Sequence, residues 1–125
     1  MLRAILDSYP YPVVFVDDGY IIRYLNKNAR YHYYQERGYD DLIGKCLFGC
    51  HNNPHSRESI MAAYEGMKKD GKDRFVSVNV KNLRIYMQAV RDDSNKVCGF
   101  IERFELNVQM PYQPHPPMPM PPQDQ

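Results

Sequence analysis

Four side chains that can ligate a metal ion lie close together in the middle of the chain. They are Cys46, Cys50, His51 and His55, with three residues between the two cysteines and three between the two histidines. Thiolate and imidazole groups at such distances can close a tetrahedral zinc site. The spacing is not one of the usual zinc patterns, however, and no second group of ligands accompanies it. The sequence therefore favours the alternative, in which Cys46 is a small buried residue and the histidines belong to an exposed loop.

Iron and thiol chemistry are further options for the same segment. Covalent haem attachment requires two residues between the cysteines, and Cys46 and Cys50 are separated by three. Non-covalent haem requires an axial ligand, for which His51, Cys50 and His32 are the candidates. Cys50 beside His51 is also a candidate activated thiol, but adjacent loop residues rarely point the same way. With no Ser-His-Asp spacing and no phosphate-binding glycine loop, we predict that the chain is not an enzyme.

Glu102 is the charged residue on an otherwise apolar face of the last predicted strand. The other residues on that face are Cys98, Phe100 and Phe104. A carboxylate in apolar surroundings requires a polar partner. We hypothesise that Glu102 hydrogen-bonds a bound ligand or a loop group such as His51. The alternatives are an exposed position on the outer face of a sheet and a salt bridge to Arg84.

Length and composition predict one small globular domain. The chain has 125 residues, of which 43% are hydrophobic, and these suffice for a single core. It contains eleven Tyr, seven Met and no Trp. Tyr and Met suit an irregular pocket. They also suit a plain hydrophobic core, which is the commoner case.

Charge and hydropathy argue against two classes of partner. Sixteen basic and fifteen acidic residues give a net charge of +1, without a basic run of the kind that binds nucleic acid. The N-terminus lacks the apolar stretch of a signal peptide, and no segment approaches the roughly 20 apolar residues of a membrane span. Three cysteines do not suggest a secreted disulfide framework. We therefore predict a cytoplasmic protein that binds neither nucleic acid nor membranes.

The first half of the chain predicts a short helix, a hairpin and more short helices. Apolar spacing predicts a helix over residues 1–8. The segment PVVFVDDGYIIRYL has two β-branched runs around an Asp-Asp-Gly turn, which is typical of a hairpin. Asn26 is placed to cap a helix that continues to about Arg37. A further short turn is expected over Asp41–Ile43.

The second half predicts one long helix followed by three strands. Ser56 is placed to cap the helix, Arg57–Lys69, whose apolar stripe is Ile60, Tyr64 and Met67. The predicted strands are Asp73–Val80, Leu83–Arg91 and Val97–Leu106. Because strands and helices do not alternate regularly, the sequence predicts an α+β fold. We expect a five-stranded antiparallel sheet with short helices on one face and room for a cavity between them.

The composition changes after the last strand. Residues 109–125, rich in Pro and Met, hold seven of the ten prolines in the chain. Proline lacks the backbone donor that helices and sheets need, so we expect an extended or disordered tail after a domain at residues 1–108. A tether is preferred over a ligand for a proline-binding partner, because no basic residue flanks a PxxP core.

Several ordered motifs resemble the PAS domain family. They are VVFVDDGYIIRYLNKNA, YDDLIGK, a His-containing loop before the long helix, and IYMQAVRDDSNKVCGFIERFE. Cys50-His51, with Pro54 and Ser56, resembles a subgroup that has a Cys-His-Pro-Pro-type loop. The chain departs from the family after the last strand, where Glu105-Leu106-Asn107 replaces the usual DIT-like triplet and prolines follow.

The resemblance implies a sensory module with a pocket between the helices and the sheet. The residues expected to line that pocket are Phe15, Tyr24, Phe48, Cys50, His51, Met61, Tyr64, Phe75, Met87 and Glu102. Occupancy by a small apolar or aromatic ligand, or by a partner, would change the surface of the domain. The alternatives are a dimerisation module without ligand and a haem- or metal-binding redox sensor that uses Cys50 and His51. A homodimer is expected through the leading helix, with Leu2, Ile5 and Leu6 at the contact.

Overall fold

The computed structural model describes residues 1–49, 54–79 and 81–107. The helical elements are α1 (Leu2–Asp7), α2 (Lys27–Arg30), a π-helical turn (Tyr31–Glu36), a 3-10 turn (Leu47–Gly49) and α3 (Pro54–Asp70). The strands are β1 (Val13–Asp17), β2 (Ile22–Leu25), β3 (Arg74–Val78), β4 (Leu83–Arg91) and β5 (Val97–Leu106). The predicted tail, residues 109–125, and the predicted boundary at residue 108 lie outside the described residues. In the parts of the chain just named, no helix is both long and apolar enough to cross a bilayer.

The five strands form one antiparallel sheet in the order β2-β1-β5-β4-β3. β5 is the last strand among the described residues but lies in the centre of the sheet, between β1 and β4. Its register places Ile101 opposite Phe15 on one side and Glu102 opposite Met87 on the other. The predicted α+β fold, with a five-stranded antiparallel sheet, is confirmed.

The hydrophobic core lies between α3 and one face of the sheet, which we call the inner face. Alternate residues of the three central strands point into it. The sheet contributes Val14, Val16, Met87, Phe100 and Phe104, all buried. The predicted stripe of α3, Ile60, Tyr64 and Met67, packs against them and is also buried.

Asn26, at the end of β2, hydrogen-bonds backbone groups in three neighbouring segments of the chain. Its side chain is fully buried, and its Oδ1 accepts hydrogen bonds from the backbone N–H groups of Val13 and Ala29, both at 2.9 Å. Its Nδ2 donates to the carbonyl oxygens of Leu6 and Tyr11, both at 3.0 Å. The contact with Ala29 is the predicted helix cap, and the helical run that it starts ends at Glu36, one residue before the predicted end.

The predicted start of the long helix is wrong. α3 begins at Pro54, two residues before Ser56, so Ser56 lies in the first turn and does not cap the helix. Proline is favoured in a first turn because its missing N–H is not needed there. The short turn predicted at Asp41–Ile43 is a non-helical turn, in which the Asp41 carboxylate accepts from the Ile43 N–H at 3.1 Å.

Two features of the fold differ from the prediction, namely the position of the first helix and the regularity of β3. Helix α1 packs on the opposite face, the outer face, where Leu2 and Leu6 lie beside Phe15. Strand β3 is shorter than predicted and interrupted, because its pairing with β4 shifts between Phe75 and Ser77. Such a bulge leaves one residue without a partner and bends the strand.

Candidate functional site

A cleft of about 360 Å³ opens between the N-terminal half of α3 and strands β3 and β4. The described residues that line it are Ser56, Ser59, Ile60, Val76, Ser77, Ile85, Met87 and Glu102. One part of this lining is aliphatic, and the other consists of three hydroxyls and one carboxylate. Its volume is at the low end of the range for small-molecule pockets, which is about 300–1,000 Å³.

The cleft exists because side-chain size changes along α3. Residues three and four apart share a helix face, and the face toward the sheet carries Ser56 and Ser59 in its first two turns. Farther along the same helix it carries Tyr64 and Met67, both fully buried. The small residues leave a gap over β3 and β4, whereas the ring of Tyr64 packs on Phe100 of β5.

The bulge in β3 widens the cleft on the sheet side. Val76 and Ser77, which are adjacent in sequence, both line the cleft. Regular alternation would send one of them to the outer face. β3 is also the edge strand of the sheet, and most of its residues are exposed. This wall of the cleft is therefore paired with the sheet on one side only.

Glu102 brings a carboxylate to the inner face of the central strand. It stands between Val14 on β1 and Met87 on β4, and only 7% of the residue is exposed. Arg84 lies on the outer face, opposite Glu105, and its Nε donates to the Asn107 side chain at 2.9 Å. The outer-face position and the salt bridge to Arg84 are therefore both wrong for Glu102.

An aromatic cluster closes the core beside the cleft. Its members are Tyr20, Phe48, Tyr64 and Phe100, whose ring centroids lie 5.1–6.4 Å apart in the contacting pairs. The hydroxyl of Tyr64 donates to Asp18 Oδ1 at 2.8 Å. Burial, together with this hydrogen bond, raises the pKa of Tyr64 well above its ordinary value. Tyr64 is thus a neutral structural residue at physiological pH.

The hydroxyl of Tyr20 lies within the same cluster. It is buried and has no hydrogen-bond partner among the residues that the structure describes. Desolvation raises the pKa of Tyr20, so the phenol remains neutral. Tyr20 also has a positive φ of 62°, which is uncommon outside glycine and asparagine, and its backbone closes the turn between β1 and β2.

The structure brings together two of the ten predicted pocket residues, Met87 and Glu102, in the cleft. Tyr64 and Phe48 pack in the aromatic cluster beside it. Met61 lies on α3 and is exposed. An aromatic or apolar type alone did not distinguish a lining residue from a core residue, because both environments favour it.

Three predicted lining residues lie on the outer face and not under α3. Phe15 and Tyr24 form an apolar groove of about 410 Å³ with α1; the other residues of the groove are Leu2, Arg3, Leu6, Val13, Val90 and Ile101. The ring of Phe15 lies over Gly99, where an added Cβ would be 2.9 Å from Phe15 Cε1. Phe75 is 57% exposed and contacts Tyr86. Their prediction for the inner pocket is corrected accordingly.

The predicted metal and haem ligands fall mostly outside the described residues. Cys50 and His51 are not described, and neither is the side chain of His55. Cys46 is exposed, so its predicted burial is wrong. No group of three potential metal ligands occurs among residues 1–49, 54–79 and 81–107. His32, the other haem candidate, lies in the π-helical turn, where its Nδ1 is 3.4 Å from Glu36 Oε1.

The described lining of the cleft lacks the two axial ligands that the sequence suggested for haem, His and Cys. Haem iron requires an axial side chain such as His, Cys, Met or Tyr. The described lining offers the thioether of Met87 but no imidazole or thiolate. It therefore does not supply the His or Cys ligand that the sequence suggested.

Sequence analysis missed the small residues of the cleft. Ser56 was interpreted as a helix cap, and Ser59 and Ser77 were not considered. A usable indication was present, since serines at positions 56 and 59 precede bulky residues on the same face of α3. A helix face that changes from small to large residues predicts a gap at its small end.

Comparison with known proteins places the chain in context. A family model for the PAS domain matches residues 2–105. No curated protein matches the chain. The C-terminal domain of a protein from Streptococcus mutans has a similar structure, with a TM-score of 0.68 and 17% identity over 83% of this chain and 81% of that one.

Two further solved structures resemble this fold. A sensory box sensor histidine kinase from Vibrio cholerae has a TM-score of 0.57 and 13% identity over 82% of this chain and 83% of that one. The Aer2 receptor from Vibrio cholerae, described as a dual PAS-heme oxygen sensor, has a TM-score of 0.52 and 22% identity over 76% and 92% of the two chains. At these identities the likeness establishes the fold alone.

Proposed function

Because the chain belongs to the PAS domain family, we propose that it is a non-enzymatic sensory module that binds a small molecule in the cleft between α3 and the sheet. The observation that carries this proposal is the cleft itself. It is a concave site with an aliphatic wall, three hydroxyls and one buried carboxylate. Such a combination is typical of small-molecule sites, in which apolar surface supplies affinity and a few polar groups fix orientation.

The position of the cleft suggests how occupancy would be transmitted. One wall is the edge strand β3, and the opposite wall is the first two turns of α3. A ligand that contacts both walls would favour the conformations in which they are held together. The exposed surface of β3, including Phe75 and Val78, would then change its average position.

Two of the similar structures come from proteins described as sensors, a histidine kinase and a PAS-heme oxygen sensor. We propose by analogy that the partner of this domain is a signalling protein in the cytoplasm. The subgroup with a Cys-His-Pro-Pro-type loop remains a hypothesis, since the loop residues Cys50 and His51 lie outside the described part of the chain.

Native mass spectrometry of gently purified protein tests the proposal. A retained molecule of defined mass, lost on denaturation, is the expected result. The variant Ser59→Phe, which adds a large ring at a position that lines the cleft, should lose the molecule, whereas Glu58→Phe, at an exposed position outside the cleft on the same helix, should keep it. Retention by both variants would contradict binding in the cleft. An absorption spectrum of the same sample identifies the haem alternative by its Soret band.

A second candidate function, homodimerisation, is favoured by the apolar groove on the outer face. The groove is lined mainly by apolar residues, among them Leu2, which is 70% exposed, and contiguous exposed apolar surface marks interaction sites. Ile5, on the same helix, is 58% exposed. We propose that a second copy of the chain packs there. Leu2→Glu should then yield a monomer in light scattering, while Met61→Glu, at an exposed position on α3, should leave the oligomeric state unchanged. A wild-type monomer at all concentrations would exclude this function.

A further inference from the structure

The cleft carries an asymmetric set of polar groups, and this asymmetry bears on the chemistry of its ligand. Glu102 is the only charged residue among the described lining, and the other polar residues are Ser56, Ser59 and Ser77. Hydroxyls both donate and accept hydrogen bonds, whereas an ionised carboxylate only accepts. The charge of Glu102 is therefore the feature of the described lining that distinguishes one ligand class from another.

The surroundings of Glu102 strengthen the effect of its charge. Its neighbours across the strands are the apolar residues Val14 and Met87, and the residue is almost fully buried. Charges interact more strongly where water is excluded. A carboxylate accepts several hydrogen bonds through its two oxygens, so a contact within the protein does not exhaust its capacity to bind a ligand.

The helix dipole places a partial positive charge at the N-terminus of α3, and this charge opposes that of Glu102 but is smaller. Ser56, in the first turn of α3, lines the cleft. A helix N-terminus is equivalent to roughly half a positive charge, and its effect declines within the first turn. Glu102, when ionised, carries a full negative charge. Among the described groups of the cleft, the balance of charge therefore favours a cationic or donor-bearing ligand and disfavours an anion.

We infer that Glu102 selects small ligands that present a hydrogen-bond donor, preferably a cationic amine or amidine, and that it excludes carboxylic acids from the cleft. The apolar end of such a ligand would lie against Ile60, Ile85 and Met87, and its donor would face Glu102. The cleft volume of about 360 Å³ suits a single-ring molecule with a short polar substituent. The inference rests on the proposed function, because it assigns a ligand class to the same cleft.

The experiment compares three probes of nearly equal size that differ in one polar group: benzylamine, benzyl alcohol and benzoate. Dissociation constants are measured by NMR titration of the full chain at neutral pH, with the amide signals of Ser59 and Met87 as reporters of the cleft. Hydrogen bonds to charged groups are worth more than neutral ones, which corresponds to about tenfold to a hundredfold in affinity. We expect benzylamine to bind about tenfold or more tightly than benzoate, with benzyl alcohol between them.

The substitution Glu102→Gln removes the charge and keeps the size of the side chain. It should weaken the binding of benzylamine by about tenfold or more. The difference in affinity between benzylamine and benzoate should become smaller or change sign. Glu105→Gln is the matched control, because Glu105 lies on the outer face of the same strand and does not line the cleft. It should leave all three affinities unchanged. If Glu102→Gln does not fold, the order of the three probes on the wild-type chain decides the question.

The possible outcomes separate this inference from the proposed function. Benzoate binding in the cleft as tightly as benzylamine would overturn the ligand class while leaving a ligand-binding cleft in place. Equal loss of benzylamine in Glu102→Gln and Glu105→Gln would also overturn it. If none of the three probes shifts the signals of Ser59 and Met87 at millimolar concentration, both the ligand class and the proposed function are wrong.

Discussion

The two halves of the interface between α3 and the sheet differ in how completely they are packed. Over β5, Tyr64 of α3 packs on Phe100, and both Tyr64 and Met67 are fully buried in the core; we call this half the closed end. Over β3 and β4, Ser56 and Ser59 leave a cleft, and we call this half the open end. A single helix thus provides a tightly packed core at one end and a binding space at the other.

This difference indicates how a small domain divides stability from function. Close packing at the closed end supplies most of the favourable burial. The open end contributes less, and for that reason its walls can move when a ligand enters. If this division is correct, equivalent substitutions at the two ends should have unequal effects on stability.

The strongest test shortens one large apolar side chain at each end. Phe100→Ala removes a fully buried ring from the closed end and should lower the free energy of unfolding by about 3–5 kcal/mol. Ile85→Ala shortens a half-buried side chain that lines the cleft at the open end, and it should cost about 1 kcal/mol. Urea denaturation followed by circular dichroism measures both values. Similar losses in the two variants would contradict the proposed division.

A second test addresses the hydrogen bonds that hold β1, which pairs with β5 of the closed end. Asn26→Ala deletes four hydrogen bonds from a fully buried side chain and should cost about 3 kcal/mol or more, since buried partners are left unsatisfied. Asn28→Ala, two residues away, loses one partly buried bond to the Tyr9 carbonyl and should cost about 1 kcal/mol. Thermal and urea unfolding of both variants gives the comparison. A loss for Asn26→Ala no greater than that for Asn28→Ala would remove its central role.

The smallest expected effect depends on pH. The Tyr64 hydroxyl lowers the pKa of the Asp18 carboxyl by donating a hydrogen bond to it, with Lys68 nearby as a further cause. A folded-state pKa below the unfolded value stabilises the fold at neutral pH, and this contribution is lost as the carboxylate is protonated. Tyr64→Phe should therefore cost about 1 kcal/mol at pH 7 and less as the pH falls below about 4.

The control for this prediction is Asp18→Asn measured across the same pH range. The Asp18 side chain is largely exposed, so the loss should be small and should also diminish in acid. A cost of Tyr64→Phe that is constant from pH 7 to pH 3 would assign the effect to packing alone. The aromatic cluster would then stabilise the closed end without help from Asp18.

The strands could be predicted closely because their signals are local. The bounds of β4 and β5 match the predicted ranges, and the turn between them carries polar residues as expected. β3 was predicted to be longer than it is and to be regular. Simple alternation cannot reveal the bulge beside Val76. Alternation is a property of one strand, whereas a bulge depends on its pairing with another.

The faces of the sheet were harder to assign than its strands. Alternation separates Phe15 from Val14 and Val16, but it does not say which set faces the long helix. The resemblance to the PAS family assigned Phe15 and Tyr24 to the inner pocket, and alternation alone could not test that assignment. The position of α1, which is fixed by long-range contacts such as that between Asp7 and Tyr24, decides the matter instead.

The central position of β5 has a consequence for the order of folding. In the sheet, β5 lies between the hairpin of β1 and β2 and the hairpin of β3 and β4. The two hairpins are therefore joined only through their pairing with β5. During synthesis, both hairpins would emerge from the ribosome before β5, each with one strand edge whose backbone hydrogen bonds are not yet made. Pairings such as Val14 with Glu102 span most of the described sequence, and contacts of this kind slow folding. The domain should therefore acquire its structure in one late, cooperative step.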